Sequence, residues 1–231
     1  MKTAVFSDIH GNIQALEAML AQAQACGVKR FIFCGDIMGY FTHQEEVIKC
    51  LRQLPDLYAV AGNHDSYYLH AAPKSTERAR LAQKYGKSYE KQLCGADLEY
   101  LNQLPQSLEM ELDGKRVFVV HGSMESFLEG RIYPDTVVDP ALYSGYDIVI
   151  SGHTHYRMCR MAGHAMLLNP GSLGQPRDGR GCGYCLIDVE NEELLFQNVR
   201  TDQKKLLREL ALDGEDRQLI QYLAGKMGED T

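Results

Sequence analysis

Leu57-Tyr58-Ala59-Val60-Ala61-Gly62-Asn63-His64-Asp65 carries a short apolar run into an amide, an imidazole and a carboxylate behind a glycine. An apolar strand ending in such a turn is how an α/β protein presents reactive groups at a sheet edge. Two upstream segments share the construction. A buried strand over 2–7 leads into Asp8-Ile9-His10-Gly11, and one over 30–34 leads into Gly35-Asp36. Between them, Ile13, Leu16, Met19 and Leu20 sit at helical spacing within 12–26, with Gly27 as the stop. A second helix is expected over 43–54, closed by Pro55. A β-α-β-α-β order with short loops predicts a sheet with crossover helices.

Downstream the character changes. Residues 66–105 gather Tyr67, Tyr68, Tyr85, Tyr89 and Tyr100 among charged and amide side chains. Helices are expected over 75–93 and 95–104, forming a helical insert over the site; no Pro/Gly-rich linker isolates it as a domain. Strands return at 107–112 and 116–120 around the hairpin turn Asp113-Gly114, and the second ends in His121-Gly122. A loop with a short helix fills 123–144, and a strand over 147–150 leads to Ser151-Gly152-His153-Thr154-His155. A hairpin over 156–161 and 165–168, a turn-rich stretch over 169–179 and strands over 183–189 and 193–199 follow. One or two helices over about 202–228 and a frayed acidic tail end the chain. One half has crossover helices and the other has hairpins. The expectation is a single domain over 1–231, an α/β two-sheet sandwich flanked by helices, with one doubly wound sheet as the alternative.

Bulk properties bound the function. With 45% hydrophobic and 24% charged residues among 231, the chain has material for a substantial core. Net charge is −7 and the pI about 5.6, and Lys204-Lys205 is only a pair, so no stable nucleic-acid binding is expected. An anionic substrate must be attracted by something other than net charge. No signal-peptide pattern or apolar run near the roughly 20 residues of a membrane helix is visible, so a cytoplasmic protein without a membrane partner is expected. Seven scattered cysteines read as reduced thiols. Cys182-Gly-Tyr-Cys185 matches C-x-x-C formally, but residues three apart on a strand point to opposite faces, which excludes a shared ion.

Five polar clusters thus follow apolar strands: Asp8-Ile-His10-Gly11, Gly35-Asp36, Gly62-Asn63-His64-Asp65, His121-Gly122 and Gly152-His153-Thr-His155. They hold five of the chain's eight histidines. Each carries a glycine, which permits tight turns and close backbone approach. Nitrogen and oxygen donors without thiolates suit Mn, Fe, Zn, Ni or Co better than a structural zinc site or calcium. Asp8 and His10, two apart near a strand end, are expected to point the same way and chelate one ion. Seven potential ligands exceed the needs of one ion with an open position. Two ions sharing a bridging carboxylate would use them all.

The order D-x-H, G-D, G-N-H-D, H, G-H-x-H resembles that of the calcineurin-like metallophosphoesterases, across about residues 3–190. Asn169-Pro170-Gly171-Ser172 and Gly35-Asp36-Ile37-Met38-Gly39-Tyr40 are most similar to the small prokaryotic phosphodiesterase branch, and also to symmetrical diadenosine-polyphosphate hydrolases. The resemblance implies two divalent metal ions, Mn2+ first, with Fe, Zn, Ni, Co or Mg as alternatives. Asp8, His10 and His155 would hold one, Asn63, His121 and His153 the other, and Asp36 would bridge them. It implies phosphodiester hydrolysis of a small-molecule substrate by a metal-activated hydroxide, with His64 assisting the leaving oxygen. Asp65 would orient or charge-stabilise His64, or instead close a turn. The family's serine/threonine protein phosphatases carry G-D-x-V-D-R-G, whose Arg grips phosphate. Tyr40 stands where that Arg would be, which disfavours protein phosphatase activity and suits a diester. Tyr40 and Arg177 are the candidate substrate contacts, with Arg180 a further loop cation. His43, His70 and His164 are expected at the surface or in structural roles. The alternatives are a dinucleoside-polyphosphate or nucleotide pyrophosphate hydrolase, and a non-catalytic scaffold of the same fold. A scaffold would be expected to have lost His64 or several ligands, and all are present.

Overall fold

The structure, a computed structural model, describes residues 1–227. The expected acidic tail and the last residue of the expected C-terminal helical region lie outside them. The first half runs β1 (Lys2–Phe6), α1 (Ile13–Ala25), β2 (Arg30–Phe33), α2 (Gln44–Gln53), β3 (Leu57–Ala59), α3 (Asn63–His70), α4 (Thr76–Tyr85) and α5 (Gly95–Gln103). Then come β4 (Ser107–Leu112), β5 (Lys115–Val120), β6 (Ile148–Ile150), β7 (Arg157–Ala162), β8 (Ala165–Pro170), β9 (Gly183–Asp188), β10 (Glu193–Asn198), α6 (Gln203–Leu212) and α7 (Arg217–Met227). Among the described residues, no helix is long and apolar enough to cross a membrane.

Two five-stranded sheets form the sandwich, in the orders β10-β9-β1-β2-β3 and β4-β5-β6-β8-β7. Period-two alternation of side chains builds it. Ala4, Phe6, Phe31 and Phe33 face α1 and α2, while Val5 and Ile32 face the second sheet. There they meet Val117, Val119, Ile148, Ile150 and Leu168. The alternate residues Phe118, Val120, Val149 and Leu167 turn outward to Ile132 and Tyr143 of the covering loop. Strands buried on both faces read as continuous apolar runs, as these do. Asn12 caps α1 by accepting the Ala15 N–H at 3.1 Å, and the stripe Ala15, Leu16, Met19 and Ala23 is buried.

Three expectations are corrected. The last hairpin, β9-β10, does not stay with the second half. β9 pairs antiparallel with β1, so it extends the first sheet. Residues 75–93 are not one helix. Gly86, at φ 100°, ends α4, and a 3-10 turn over Lys87–Tyr89 follows. Residues 63–65 do not sit in a turn after β3 but in the first turn of α3. The two C-x-x-C sulfurs separate as expected. Cys182 packs with the helix-side core and Cys185 between the sheets, and both are free thiols.

Candidate metal centre

All five polar clusters converge at one end of the sandwich. Their side chains are nearly enclosed: Asp8, His10 and His121 are 0% exposed, and His64 is the most exposed of the ligand and His64 set at 6%. The backbone does much of the convergence. Asp8, His10, Asp36, His153 and His155 all adopt left-handed φ, from 52° to 70°. Such conformations cost of order 1–3 kcal/mol each and persist where surroundings over-determine them. Here the Asp8 N–H donates to the Gly35 carbonyl at 2.9 Å and the His10 N–H to the Asp36 carbonyl at 3.0 Å. Asp8 and His10 therefore meet because their loop is left-handed, not because two strand residues share a face.

Three histidines are fixed by main-chain carbonyls. His10 Nδ1 lies 2.7 Å from Met38 O, His121 Nδ1 2.7 Å from Cys34 O, and His155 Nδ1 2.6 Å from Gln175 O. A carbonyl only accepts, so each Nδ1 carries the proton. In the neutral rings each Nε2 is then a bare lone pair aimed inward. His10 Nε2 and His155 Nε2 face each other at 3.3 Å, and His155 Nε2 lies 3.1 Å from Asp8 Oδ1. On the other side His121 Nε2 is 2.9 Å from Asn63 Oδ1 and 3.3 Å from Asp36 Oδ2. Asp8 Oδ1 and Asp36 Oδ2 are buried with no hydrogen-bond partner. Buried nitrogen and carboxylate oxygen donors brought this close, with two carboxylate oxygens left unpartnered, are a set that a divalent cation satisfies, so the donors fit metal binding. Asp8 with His10 and His155, and Asp8 with Asp36 and His121, each bring ligand atoms within 4.8 Å of one another.

The charges agree. Burial alone would raise the Asp8 and Asp36 carboxyls. His155 beside Asp8 and His121 beside Asp36 outweigh it and hold both below the ordinary carboxylate value. Burial pushes His10 down to about 4 and His153 to about 3, which keeps these rings neutral. His121 goes the other way. Burial would lower it, but Asp36 draws it up to about 9, so without metal these two form an ion pair.

Asp65 and His64 separate in role. Asp65 Oδ1 accepts from the N–H of Ile37 at 2.8 Å and Met38 at 3.0 Å; Oδ2 accepts from Gly62 at 2.9 Å and Asp36 at 3.0 Å. The carboxylate is spent on backbone and does not orient the His64 ring. Burial and the Asp36 charge raise its carboxyl to about 7. Cations at the cluster would cancel the Asp36 repulsion and leave the four donors a charged acceptor. The His64 ring has Tyr89 as its partner, with the phenol oxygen 2.8 Å from Nδ1.

The expected substrate contacts fare differently. Tyr40 reaches the site, its ring 4.8 Å from that of His10 and 5.5 Å from that of His64, but it is buried against α6 and α7. Arg177 turns to Gln175 Oε1, donating from Nε at 3.1 Å and Nη2 at 2.7 Å. Two residues at the site were not singled out by sequence. Arg131 donates from Nε to His153 Nε2 at 3.0 Å, and Tyr89 holds His64. Arg131 lies in an aperiodic loop with no signal. Tyr89 was visible only as one of a cluster of tyrosines.

The family model of the calcineurin-like phosphoesterase superfamily domain matches residues 1–192. An uncharacterized protein of Methanocaldococcus jannaschii is 31% identical over 223 residues, covering 87% of this chain and 88% of its own. A phosphodiesterase of the same organism is 27% identical over 202 residues, covering 84% and 96%. The crystal structure of a hypothetical protein from Pyrococcus horikoshii superposes with a TM-score of 0.84 at 23% identity, covering 100% of this chain and 99% of that one.

Proposed function

Because the chain belongs to the calcineurin-like phosphoesterase superfamily, we propose that it hydrolyses a small-molecule phosphodiester with the help of two divalent cations, Mn2+ foremost. The observation that carries this reading is the convergence of the Nε2 atoms of His10, His121 and His155, each turned inward by its Nδ1–carbonyl contact, on the buried carboxylates of Asp8 and Asp36. Asp8, His10 and His155 would hold one cation, Asn63, His121 and His153 the other, and Asp36 both. When bound, such a pair lowers the pKa of a shared water and withdraws charge from the phosphoryl oxygens. Asn63 binds without adding a negative charge. Two divalent cations outweigh Asp8 and Asp36, so an acidic chain presents a locally positive site to phosphate.

The remaining residues act on the substrate. His64 places Nε2 at the leaving oxygen and hydrogen-bonds the charge that develops there, because burial holds its pKa well below the ordinary imidazole value and keeps the ring neutral. A cation on His153 would take the lone pair that now accepts from Arg131. The freed guanidinium then turns to the phosphoryl oxygens, the task first assigned to Arg177. One arginine rather than several suits the single charge of a diester, and the name of the Methanocaldococcus phosphodiesterase supports that choice.

Metal-stripped protein tests the reading on bis-p-nitrophenyl phosphate and p-nitrophenyl phosphate, with Mn2+, Ni2+, Zn2+ or Mg2+ restored. Hydrolysis of the diester in preference to the monoester, fastest with Mn2+, is expected. No hydrolysis with any metal contradicts the enzyme, and faster turnover of the monoester contradicts the diester preference.

A further inference from the structure

Tyr89 ends the 3-10 turn Lys87–Tyr89 and is 0% exposed. Its phenol oxygen lies 2.8 Å from His64 Nδ1 and 3.2 Å from the His64 carbonyl oxygen. A phenol has one proton to give and lone pairs to accept with. It can donate to Nδ1 of a neutral His64. It can equally accept from Nδ1–H of an imidazolium while donating to the carbonyl. In each arrangement Nδ1 is occupied by the phenol, and Nε2 is the nitrogen left free for substrate.

The surrounding chain is built to keep Tyr89 there. A Cβ on Gly39 would lie 2.8 Å from His64 Nδ1, so glycine leaves that side of the ring open to the phenol. The turn is anchored from the far end of the sequence. Glu215, between α6 and α7, accepts the Lys87 N–H at 2.7 Å and is 8% exposed. A side chain on Gly86, the residue before the turn, would collide with the Tyr40 carbonyl at 2.8 Å and meet Glu215 at 3.2 Å. Leu206, Leu210, Leu219 and Leu223 of the same helices pack on Tyr40 and Phe41 beside the site. Both helices lie past residue 192, where the family match ends.

The geometry points to Tyr89 as the positioning residue of His64: the phenol fixes the ring with Nε2 toward the leaving oxygen, and the C-terminal helix pair holds the phenol through Glu215. This rests on the reading of His64 as the group that assists the leaving oxygen. It gives the helical segment over the site a function in the reaction and ties it to the C-terminal helices, beyond the residues that the family model matches.

The test compares full-length, metal-loaded wild type with Tyr89→Phe, which removes one oxygen. Diesters with phenol and with p-nitrophenol leaving groups are assayed. The expected result for Tyr89→Phe is a fall in kcat of about tenfold or more on the phenyl ester, with KM changed less than about twofold and the p-nitrophenyl ester nearly unaffected. The decisive readout is the 15N spectrum of the histidine rings in zinc-loaded protein, with the His64 signals identified by their loss in His64→Gln. Wild type should show His64 as a single tautomer, and Tyr89→Phe should show a mixture. Glu215→Ala should move both readouts in the same direction by a smaller amount, and it serves if Tyr89→Phe folds poorly. An unchanged His64 spectrum in Tyr89→Phe overturns the assignment. If wild type cleaves neither ester, the hydrolase reading fails, and the spectrum still decides whether Tyr89 sets the tautomer.

Discussion

The carboxylate of Asp65 accepts the backbone N–H of Asp36 at 3.0 Å, so the residue proposed to bridge two cations is held in its left-handed turn by a neighbour that touches neither. Three more amides, those of Gly62, Ile37 and Met38, share that carboxylate. Asp65→Ala strands four buried donors and should lower the unfolding free energy by about 3–5 kcal/mol. Asp65→Asn turns an NH2 toward two of those donors and should cost about half as much. Urea unfolding of the metal-free variants checks both. Unchanged stability with a selective loss of kcat would mean that Asp65 acts on His64 instead.

Gly62 needs no unusual backbone, since φ −100° and ψ 176° are open to any residue. It needs space. A Cβ there would lie 2.0 Å from Asp36 Oδ1 and 2.4 Å from Asp36 N. Gly62→Ala must push the bridging carboxylate aside, and its affinity for Mn2+ should fall by about tenfold or more, roughly 1.4 kcal/mol. Gly145→Ala, where a Cβ meets nothing within 4 Å, is the control. Isothermal titration with Mn2+ that finds both variants equal to wild type would refute the close approach.

Arg131 and a cation compete for the same lone pair on His153. Arg131→Ala should therefore bind Mn2+ more tightly, while KM for the diester rises about tenfold through loss of a charge-assisted contact. Arg177→Ala should change KM less, because that guanidinium is committed to Gln175. Weaker metal binding in Arg131→Ala would show that the arginine supports His153 rather than competing at it.

The cysteines report on the sandwich. Cys34, Cys182 and Cys185 are buried, and burial pushes the Cys182 and Cys185 thiols up to about 12. Cys26, Cys94 and Cys159 are exposed. Native protein at pH 8 should label rapidly at the exposed three, and at the buried three only in denaturant. Mass spectrometry of the labelled peptides reads the order. Fast labelling of Cys185 would place β9 at a solvent face and break the sheet order.

The strands and the ligand clusters were legible in sequence because two local signals coincide. Runs such as Ala4-Val5-Phe6 and Phe31-Ile32-Phe33 are apolar on both faces, and each polar cluster follows such a run. Pairing between distant strands was not legible. Leu186 and Ile187 alternate as well beside β1 as they would in the second sheet, and chain order alone suggested the wrong neighbour. The start of α3 at Asn63 left a trace: Asp65, three residues after Gly62, accepts the Gly62 N–H as a capping acid does. Three adjacent functional groups after a glycine fit a turn equally well. Arg131 and Tyr89 reach His153 and His64 across 22 and 25 residues, through contacts that no local pattern encodes.

The central claim is that two divalent cations occupy this cluster and that diester hydrolysis depends on them. Stripped protein dialysed against increasing Mn2+, with metal per chain and bis-p-nitrophenyl phosphate turnover measured on the same samples, tests it most directly. Turnover should be absent in stripped protein and rise as binding approaches two ions per chain, and Asp36→Asn should bind less and stay inactive. Full turnover in protein that retains no metal, or in Asp36→Asn, would contradict the account.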